Sequence, residues 1–360
     1  MRIGLMIYGE LANLSGGYIY DRQLVDYLTA QGDVVEVISM PWRDYPLRLL
    51  ENLDRKLIQR LANLEVDVLL QDELNHPSLF LVNRWIKKQA CYPIVSIVHH
   101  LRSNEVHSTL EHWVYQRVER AYLKSVDAFV YNSRTTSVAV QALMGGPTRH
   151  VIAYPGGDRL GKGIRLEEIS QRAHTPGPLR IVFLGNLIPR KGLHTLLHAV
   201  ASIKETNWTL DVIGRLDADP LYSGEMQHLS RTLGLTKRVL FRGQVDDGDV
   251  METLRTSHLM VVPSSYEGFG IIYLEAMGYG VIPVATTAGA ASEIIQHGEN
   301  GYLIQPDNQG ALASLIEGLA ENRHRLEQVS LAARAHFDAF PTWQTGAEKI
   351  RQFLQALSEE

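Results

Sequence analysis

Two glutamates, Glu267 and Glu275, stand where this sequence most clearly suggests chemistry. An apolar run, HLMVVP, ends at Pro263, and the loop SSYEGFG then leads into a helical pattern. Glycines in such a loop let the backbone approach a ligand closely, and a helix amino terminus offers free N–H groups and partial positive charge to a phosphate. If the loop folds over the start of the helix, both carboxylates can face the same bound molecule.

A second motif, FLGNLIPRKGLHTLL, places Arg190 and Lys191 directly before Gly192, where another helical pattern starts. Two cations held beside a helix start suit a diphosphate, because its charge must be stabilised when it departs as a leaving group. The residue after the strand-ending glycine of this motif is Asn186. Arg190 is explained equally well as a solvated surface residue.

Weaker signals lie in the first half of the chain. Gly16 and Gly17 precede a helical pattern, without the G-x-G-x-x-G spacing of dinucleotide-binding proteins. Another apolar run ends in His99 and His100, and the carboxyl end of a strand is the ligand side of an α/β sheet. Adjacent histidines on an extended strand point apart, and no companion cluster has ligand spacing, so we predict no metal site.

The elements that must position these residues are apolar runs that alternate with helical patterns. Six runs precede the middle of the chain and six follow it: IGLMIY, VVEVIS, VDVLLQ, YPIVSIV, VDAFVYN and HVIAYP, then LRIVFLG, WTLDVIG, RVLFRGQ, HLMVVPS, GVIPVAT and GYLIQP. Continuous apolar strands between helices are typical of parallel sheets covered on both faces. We therefore predict an α/β protein of two doubly wound, Rossmann-like domains, with ligands at the carboxyl ends of the strands and in the cleft between the domains.

The domain boundaries are predicted where this alternation lapses, between Pro155 and Pro178, in the stretches YPGGDRLGKG and TPGP. The predicted parts are an amino-terminal Rossmann-like domain, a linker, a carboxy-terminal Rossmann-like domain and a closing helix that could cross back onto the first domain: 1–160, 161–178, 179–340 and 341–360.

Length and composition limit the class of protein. A chain of 360 residues exceeds what one hydrophobic core usually organises, and 45% hydrophobic with 21% charged residues is the balance of a globular protein. Cys91 is the only cysteine, which excludes an intrachain disulfide and a cysteine-rich zinc site and fits a reducing compartment. A formal net charge of −5 argues against a general nucleic-acid binder.

Charge and hydropathy also bear on location. The first apolar run lacks the basic leader and cleavage site of a signal peptide, and no run approaches the length of a membrane span, so we expect a cytoplasmic protein. Through Arg165 the chain carries 19 basic against 17 acidic residues, and after it 16 against 23. The stretch Leu47 to Leu61 predicts a partly basic amphipathic helix. Ordinary packing is favoured for it because acidic residues interrupt the basic face, and peripheral contact with the inner face of a membrane is left open.

These motifs resemble those of the retaining glycosyltransferases of group 1 (family 4), which have the GT-B fold, two Rossmann-like domains facing across a cleft. The loop E-G-F-G and the spacing Glu, seven residues, Glu reproduce the family hallmark. The resemblance implies transfer of a sugar from a nucleotide diphosphate sugar to a hydroxyl acceptor, with retention. It also implies that the amino-terminal domain binds the acceptor and the carboxy-terminal domain binds the nucleotide sugar. No Asp-x-Asp motif has a plausible metal role, so we predict no requirement for a metal ion or a cofactor. The resemblance is specific from about Leu179 to Pro306 and loose before His99.

The resemblance also implies roles for individual residues. It makes His99, Glu267 and Lys191 the catalytic set, in which His99 and Glu267 contact the donor sugar and Lys191 binds the diphosphate. Glu275 is expected to bond the ribose. The predicted donor-binding set comprises Gly16, Gly17, Asn186, Arg190, Lys191, Gly268, Phe269, Gly270, Ile271 and Glu275. Gly289 and Glu293 fit the family's G-x-x-x-E pattern.

One departure from the family keeps two other functions open. Asn186 stands where the family usually has an Arg, and Arg190 is the candidate that could replace that cation. A catalytically silent sugar-nucleotide-binding subunit would explain Asn186. A sugar-nucleotide isomerase or epimerase on a similar scaffold would need an acid and base pair that we do not locate. Base, sugar, acceptor and oligomeric state stay open.

Overall fold

The computed structural model describes residues 1–13, 15–105 and 107–360. The chain divides into two compact units. The amino-terminal unit comprises Met1–Pro155 and Pro341–Glu360, and the carboxy-terminal unit comprises Gly156–Phe340. Each unit contains a parallel sheet of six strands.

The described residues form twelve strands, and each apolar run predicted as a strand overlaps one of them. They are β1 (Arg2–Tyr8), β2 (Val34–Met40), β3 (Val68–Asp72), β4 (Ile94–Val98), β5 (Ala128–Tyr131), β6 (His150–Ile152), β7 (Leu179–Leu184), β8 (Trp208–Ile213), β9 (Val239–Gly243), β10 (Leu259–Val261), β11 (Ile282–Thr286) and β12 (Tyr302–Ile304).

Helices connect these strands. They are α1 (Gly16–Ala30), α2 (Tyr45–Leu50), α3 (Arg55–Ala62), α4 (His76–Leu79), α5 (Val82–Ile86), α6 (Thr109–Leu123), α7 (Arg134–Met144), α8 (Leu166–His174), α9 (Leu193–Ser202), α10 (Pro220–Thr232), α11 (Asp247–Thr256), α12 (Ile271–Gly278), α13 (Gln309–Glu321), α14 (Arg323–Ala339) and α15 (Trp343–Ser358). Short 3-10 turns include Glu73–Asn75, Asp158–Leu160, Pro189–Lys191 and Ala290–Glu293.

The strand order reverses once in each sheet. The orders are β2-β1-β3-β4-β5-β6 and β12-β11-β10-β7-β8-β9, so the reversals lie between β1 and β3 and between β7 and β10. In doubly wound sheets, ligands bind outside the carboxyl ends of the strands at such a switch point. The central strands β3, β4, β10 and β11 are buried throughout, which explains their continuous apolar sequences.

The predicted amphipathic helix from Leu47 to Leu61 is interrupted in the structure. Asp54 ends the first part and caps α3, because its carboxylate accepts from the N–H groups of Lys56 and Leu57. The leucines keep helical spacing across this break, which is why the pattern looks continuous. Leu50, on α2, is 62% exposed.

The segment predicted as a linker, 161–178, contains helix α8 and belongs to the carboxy-terminal unit. This helix packs against α14, and its buried residues are Ile169, Arg172 and Ala173. Because few apolar residues recur at helical spacing in α8, its sequence resembles that of a polar linker. The closing helix α15 packs on α1 inside the amino-terminal unit. Among the described residues, no helix is both long and apolar enough to cross a membrane.

Candidate functional site

The loop after β10 lies at the switch point of the carboxy-terminal sheet and leads into α12. Gly270 caps this helix with φ +95°, a left-handed conformation that favours glycine. A Cβ atom at this position would also lie 2.4 Å from ring carbons of Tyr273. Gly270 therefore allows the sharp turn that presents the helix amino terminus beside the loop.

Lys191 and Glu267 meet at this switch point. The Nζ atom of Lys191 lies 2.6 Å from Oε2 of Glu267, and their side chains are 14% and 12% exposed. The hydroxyl of Ser264 donates to the same oxygen over 3.3 Å. The two motifs that the sequence places far apart, one after β7 and one after β10, thus contribute a cation and a carboxylate to one place.

Arg190 holds the same loop. Its Nη1 atom donates to the carbonyl oxygen of Tyr266 over 2.8 Å, and its own carbonyl accepts from the N–H of Ser265. The neighbouring Gly192 has φ +71°, and a Cβ there would lie 2.1 Å from the carbonyl oxygen of Pro263. The two loops are therefore in direct backbone contact, and Arg190 is part of that contact.

A third loop, which follows β11, forms backbone hydrogen bonds with Glu267. The N–H of Glu267 donates to Ala288 and its carbonyl accepts from Ala290, at 3.2 and 2.9 Å. Between them lies Gly289, with φ +93°, where a Cβ would be 2.0 Å from the Glu267 carbonyl oxygen. Only glycine fits this approach, which gives a physical reason for the first position of the G-x-x-x-E pattern. Glu293 lies at the end of the following 3-10 turn.

Glu275 is inside α12 and only 2% exposed. Its Oε1 atom accepts from Nε of Arg159 over 2.7 Å, and Arg159 also donates to Asp247 over 2.6 Å. Burial raises the pKa of Glu275, and the Arg159 guanidinium opposes this rise. No sequence motif indicates Arg159, which directly follows the AYPGGD stretch, within the predicted first domain 1–160.

The other predicted donor-binding residues of this unit lie along the same two loops. Gly268, Phe269 and Ile271 are buried around the start of α12. The Phe269 ring lies 6.3 Å from that of Phe340. Asn186 follows β7, and its carbonyl accepts from the N–H of Ile188 over 3.0 Å.

In the amino-terminal unit, the structure brings His99 to the predicted glycine pair. A Cβ on Gly17 would lie 3.0 Å from Cδ2 of His99, and Gly16 is the first residue of α1. The Nε2 atom of His99 is 3.3 Å from Oδ1 of Asp21. His100 instead turns to Glu105, at 3.0 Å. Of the two histidines, His99 is therefore the one that lies at the switch point.

Around His99 lie buried carboxyl groups that the sequence did not predict as a cluster. Both oxygens of Asp21 and Oδ2 of Asp72 have no hydrogen-bond partner among the described residues. Burial, reinforced by Asp21, raises the pKa of Asp72 to about 7, and burial raises the pKa of Glu73 to about 7. Burial lowers the pKa of His99, but Asp21, Asp72 and Glu73 outweigh it and hold this pKa above its ordinary value.

Two groups of side chains offer metal-ligand atoms close together. Within the described parts of the chain, these atoms lie within 4.8 Å of one another in Asp21, Asp72 and His99 and in Glu73, His76 and Glu119. Each group draws on separate elements, so sequence spacing could not indicate it. The expected absence of a metal requirement stays a prediction.

The Asp-x-Asp runs at 217–219 and 247–249 have structural partners. Asp217 pairs with Arg215, Asp219 caps α10, and Asp247 pairs with Arg159. These contacts account for the positions of Asp217, Asp219 and Asp247.

Comparison with known proteins shows which proteins this chain is similar to. The family model described as "Glycosyl transferases group 1" matches residues 165–336. D-inositol 3-phosphate glycosyltransferase of Rhodococcus erythropolis is 27% identical over 240 residues, which cover 64% of this chain. The chain spans about half of that relative's length, 54%. Phosphatidyl-myo-inositol mannosyltransferase of Mycobacterium leprae is 26% identical over 351 residues, 94% of this chain and 86% of that protein.

Solved structures share the fold over the whole chain. Sucrose-phosphate synthase of Thermosynechococcus elongatus superposes with a TM-score of 0.82 at 22% identity, covering 99% of this chain and 98% of that one. HepE of Anabaena, solved in complex with UDP and glucose, gives a TM-score of 0.78 at 22% identity, with coverage of 99% and 100%. The family match falls inside the carboxy-terminal unit, and the likeness of fold extends over both units. Residues 165–336 therefore match the group 1 glycosyltransferase family, and the chain has the GT-B architecture of two Rossmann-like units.

Proposed function

We propose that the protein transfers a hexosyl group from a nucleotide diphosphate sugar to a hydroxyl acceptor with retention of the anomeric configuration. The observation that carries the proposal is the Lys191–Glu267 pair beside Gly270, at the switch point between β7 and β10. A cation, a carboxylate and a helix amino terminus at one point suit a ligand that has both phosphate and sugar hydroxyls.

In this proposal, the bond between the anomeric carbon and the diphosphate oxygen breaks, and a bond to the acceptor oxygen forms. The acceptor's proton passes to the departing diphosphate. Lys191 and the free N–H groups at the start of α12 stabilise the charge that develops on the diphosphate. Glu267 and His99 position the sugar, and Glu275 accepts from the ribose. No enzymatic nucleophile is assigned.

Metal independence is part of the proposal, because Lys191, Arg190 and the helix amino terminus already supply positive charge for the diphosphate. Turnover should continue in excess chelator. Loss of turnover in chelator, followed by recovery with a single divalent ion, would overturn this part of the proposal and direct attention to Asp21, Asp72 and His99.

The donor and acceptor classes are supported by the names of relatives. HepE was solved with UDP and glucose, and the Mycobacterium relative is named for transfer of mannose to phosphatidyl-myo-inositol. We accordingly propose a nucleoside diphosphate hexose as donor and a glycan, a glycolipid or a small hydroxyl compound as acceptor.

We also propose that the protein makes peripheral contact with a lipid surface. Leu47, Leu50 and Leu53 are 48, 62 and 63% exposed, and the exposed Arg55 and Lys56 follow them. Apolar side chains beside basic ones suit an anionic bilayer. Leu50→Ser should reduce sedimentation with phosphatidylglycerol vesicles. Equal sedimentation of the variant and the wild type would argue against this surface.

The test of the main proposal is a thermal-shift screen of UDP, GDP and ADP sugars, because a ligand that binds only the native state raises the melting temperature. A hit is then incubated with hydroxyl acceptors, and the products are analysed for linkage configuration. Binding without turnover would favour a silent subunit. Conversion of the donor sugar without an acceptor would favour an isomerase or epimerase.

A further inference from the structure

The helix that carries Glu275 is held by residues 157–164, which directly precede the family-matched region. A Cβ on Gly157 would lie 2.6 Å from Cβ of Leu274. Gly163 has φ +74°, and a Cβ there would lie 1.7 Å from the carbonyl oxygen of Gly278. Both glycines mark places where the 157–164 segment comes too close to α12 for any side chain.

Hydrogen bonds fix the same contact. The hydroxyl of Tyr279, directly after α12, donates to the carbonyl of Leu160 over 2.8 Å. The N–H of Ile164 donates to the carbonyl of Gly278 over 3.2 Å. The 157–164 segment is therefore bound to both the middle and the end of this helix.

Arg159 uses this placement to hold the Glu275 carboxylate. Its Nε atom bonds Oε1 of Glu275, and its Nη1 atom bonds Oδ1 of Asp247, so the guanidinium is fixed at two points. Arg159 is 17% exposed and Glu275 2% exposed, so solvent screens their attraction only weakly. The contact occupies Oε1 and leaves Oε2 as the oxygen that can accept from a ligand.

The charge of Glu275 matters as much as its orientation. A carboxyl group buried without a cation favours its neutral form, which has one acceptor oxygen fewer and donates a proton itself. A ribose diol offers two hydroxyl donors, and an ionised carboxylate is the better acceptor for them. The cation beside Glu275 therefore favours the form that ribose binding needs.

We propose that Arg159 is a positioning residue for the nucleotide, which holds Glu275 by Oε1 so that Oε2 accepts from the ribose hydroxyls of a ribonucleoside diphosphate. This inference rests on the proposed function, because it takes Glu275 to be the ribose ligand. It adds a residue outside the family-matched stretch 165–336 to the donor site.

The test compares ribose recognition in wild type and Arg159→Met by calorimetric titration. The probes are UDP and 2′,3′-dideoxy-UDP, or the same pair with the base that the wild type prefers. Arg159→Met keeps an apolar stem but removes the charge. We expect its Kd for the ribonucleotide to rise by about tenfold, the loss of roughly one charge-assisted hydrogen bond, and its Kd for the dideoxy nucleotide to change less than about twofold.

Two further variants sharpen the result. Glu275→Gln should remove the ribose preference, and the double variant should bind no more weakly than Glu275→Gln alone, because Arg159 acts through Glu275. The matched control is Arg255→Met, which breaks another 2.6 Å pair in the same unit, with Glu168. It should leave both affinities unchanged.

The inference would be overturned if the ratio of the two Kd values, for the ribonucleotide and the dideoxy nucleotide, were the same in Arg159→Met as in the wild type. An equal loss for both nucleotides would also overturn it, because it would mean that Arg159 only stabilises the fold. If Arg159→Met does not fold, Arg159→Leu, which also removes the charge, replaces it, and a wild-type ratio in that variant overturns the inference in the same way. Failure of the wild type to bind any nucleoside diphosphate would instead contradict the proposed function, so the two failures are distinguishable.

Discussion

The switch points of the two sheets differ in how their charges are satisfied. In the carboxy-terminal unit, Lys191 pairs with Glu267 and Arg159 pairs with Glu275, at 2.6 and 2.7 Å. In the amino-terminal unit, Asp21 faces Nε2 of His99 at a longer 3.3 Å, and neither of its buried oxygens makes a hydrogen bond among the described residues.

This difference separates two kinds of site. In the carboxy-terminal unit, cations, carboxylates and a helix amino terminus are held in place before any ligand arrives, which is how a protein binds developing charge without reorganisation. In the amino-terminal unit, Asp72 and Glu73 lie beside His99 with pKa values raised to about 7 by burial. The charges of Asp72 and Glu73 therefore depend on pH in the neutral range, and the negative charge near His99 increases as the pH rises.

The largest effect is expected from Lys191→Met. Removing a fixed cation from the leaving-group site should lower kcat/KM by about 10²- to 10³-fold, because this charge acts mainly in the transition state. Steady-state kinetics with the donor identified by the screen measures it. Lys237→Met, which changes an exposed lysine of the same unit, is the control. Equal activity of both variants would remove Lys191 from the site.

The second largest effect is expected from Gly289→Ala. The added Cβ would collide with the Glu267 carbonyl oxygen and would force alanine into a left-handed conformation, so the loop that carries Glu267 must move. We expect a loss of turnover of about tenfold or more and a lower Tm, since a displacement of about 1 Å at a reacting centre has this cost.

The control for this variant is Gly318→Ala, on α13, where the added Cβ meets nothing within 4 Å. It should be neutral or slightly stabilising, because alanine is the better helix former. Full activity of Gly289→Ala would show that the third loop does not determine the position of Glu267.

A pH effect on stability is expected in the amino-terminal unit. The folded-state pKa of Asp72 is raised to about 7, so its neutral form contributes stability that is complete below the unfolded pKa and is lost as pH rises through about 7. Asp72→Asn, which cannot ionise, should flatten the decrease in Tm between pH 5 and 8. Asp26→Asn, on the exposed face of α1, is the control. A wild-type pH dependence in Asp72→Asn would contradict the assignment.

The smallest effect is expected from Asn186→Arg. It restores the cation that the family usually has after the first strand of this unit. One more charge near a diphosphate should tighten nucleoside diphosphate binding by about two- to tenfold, as measured by titration. Weaker binding would mean that Arg190 already occupies the space of that side chain.

Much of the fold could be predicted from the sequence, and so could the loops that carry several residues of the candidate site. The strands of parallel sheets are continuous apolar runs, so all twelve runs mark strands. Glu267 and Lys191 belong to contiguous loop and helix motifs, and motifs of this kind are visible without a structure. Helix α8 was missed because only Ile169, Arg172 and Ala173 of its residues are buried.

The partners of Glu275 and His99 could not be predicted, because they come from distant positions in the sequence. Arg159 and Glu275 are 116 positions apart. The sequence around Arg159 has the pattern of a linker and gives no sign of a contact with Glu275. Asp21, Asp72 and His99 come from α1, the end of β3 and the residue after β4. Only the strand order, with β1 next to β3, brings these elements together.

The central claim is that the carboxy-terminal switch point is a nucleotide site that is formed before the ligand binds. The most direct measurement is the Tm of wild type, Glu275→Gln and Lys191→Met with and without a nucleoside diphosphate. At a concentration of about 100 times Kd, binding should stabilise the wild type by about 2.7 kcal/mol, and both variants should lose most of this gain. A wild-type shift in both variants, or no shift with UDP, GDP or ADP in the wild type, would contradict the claim.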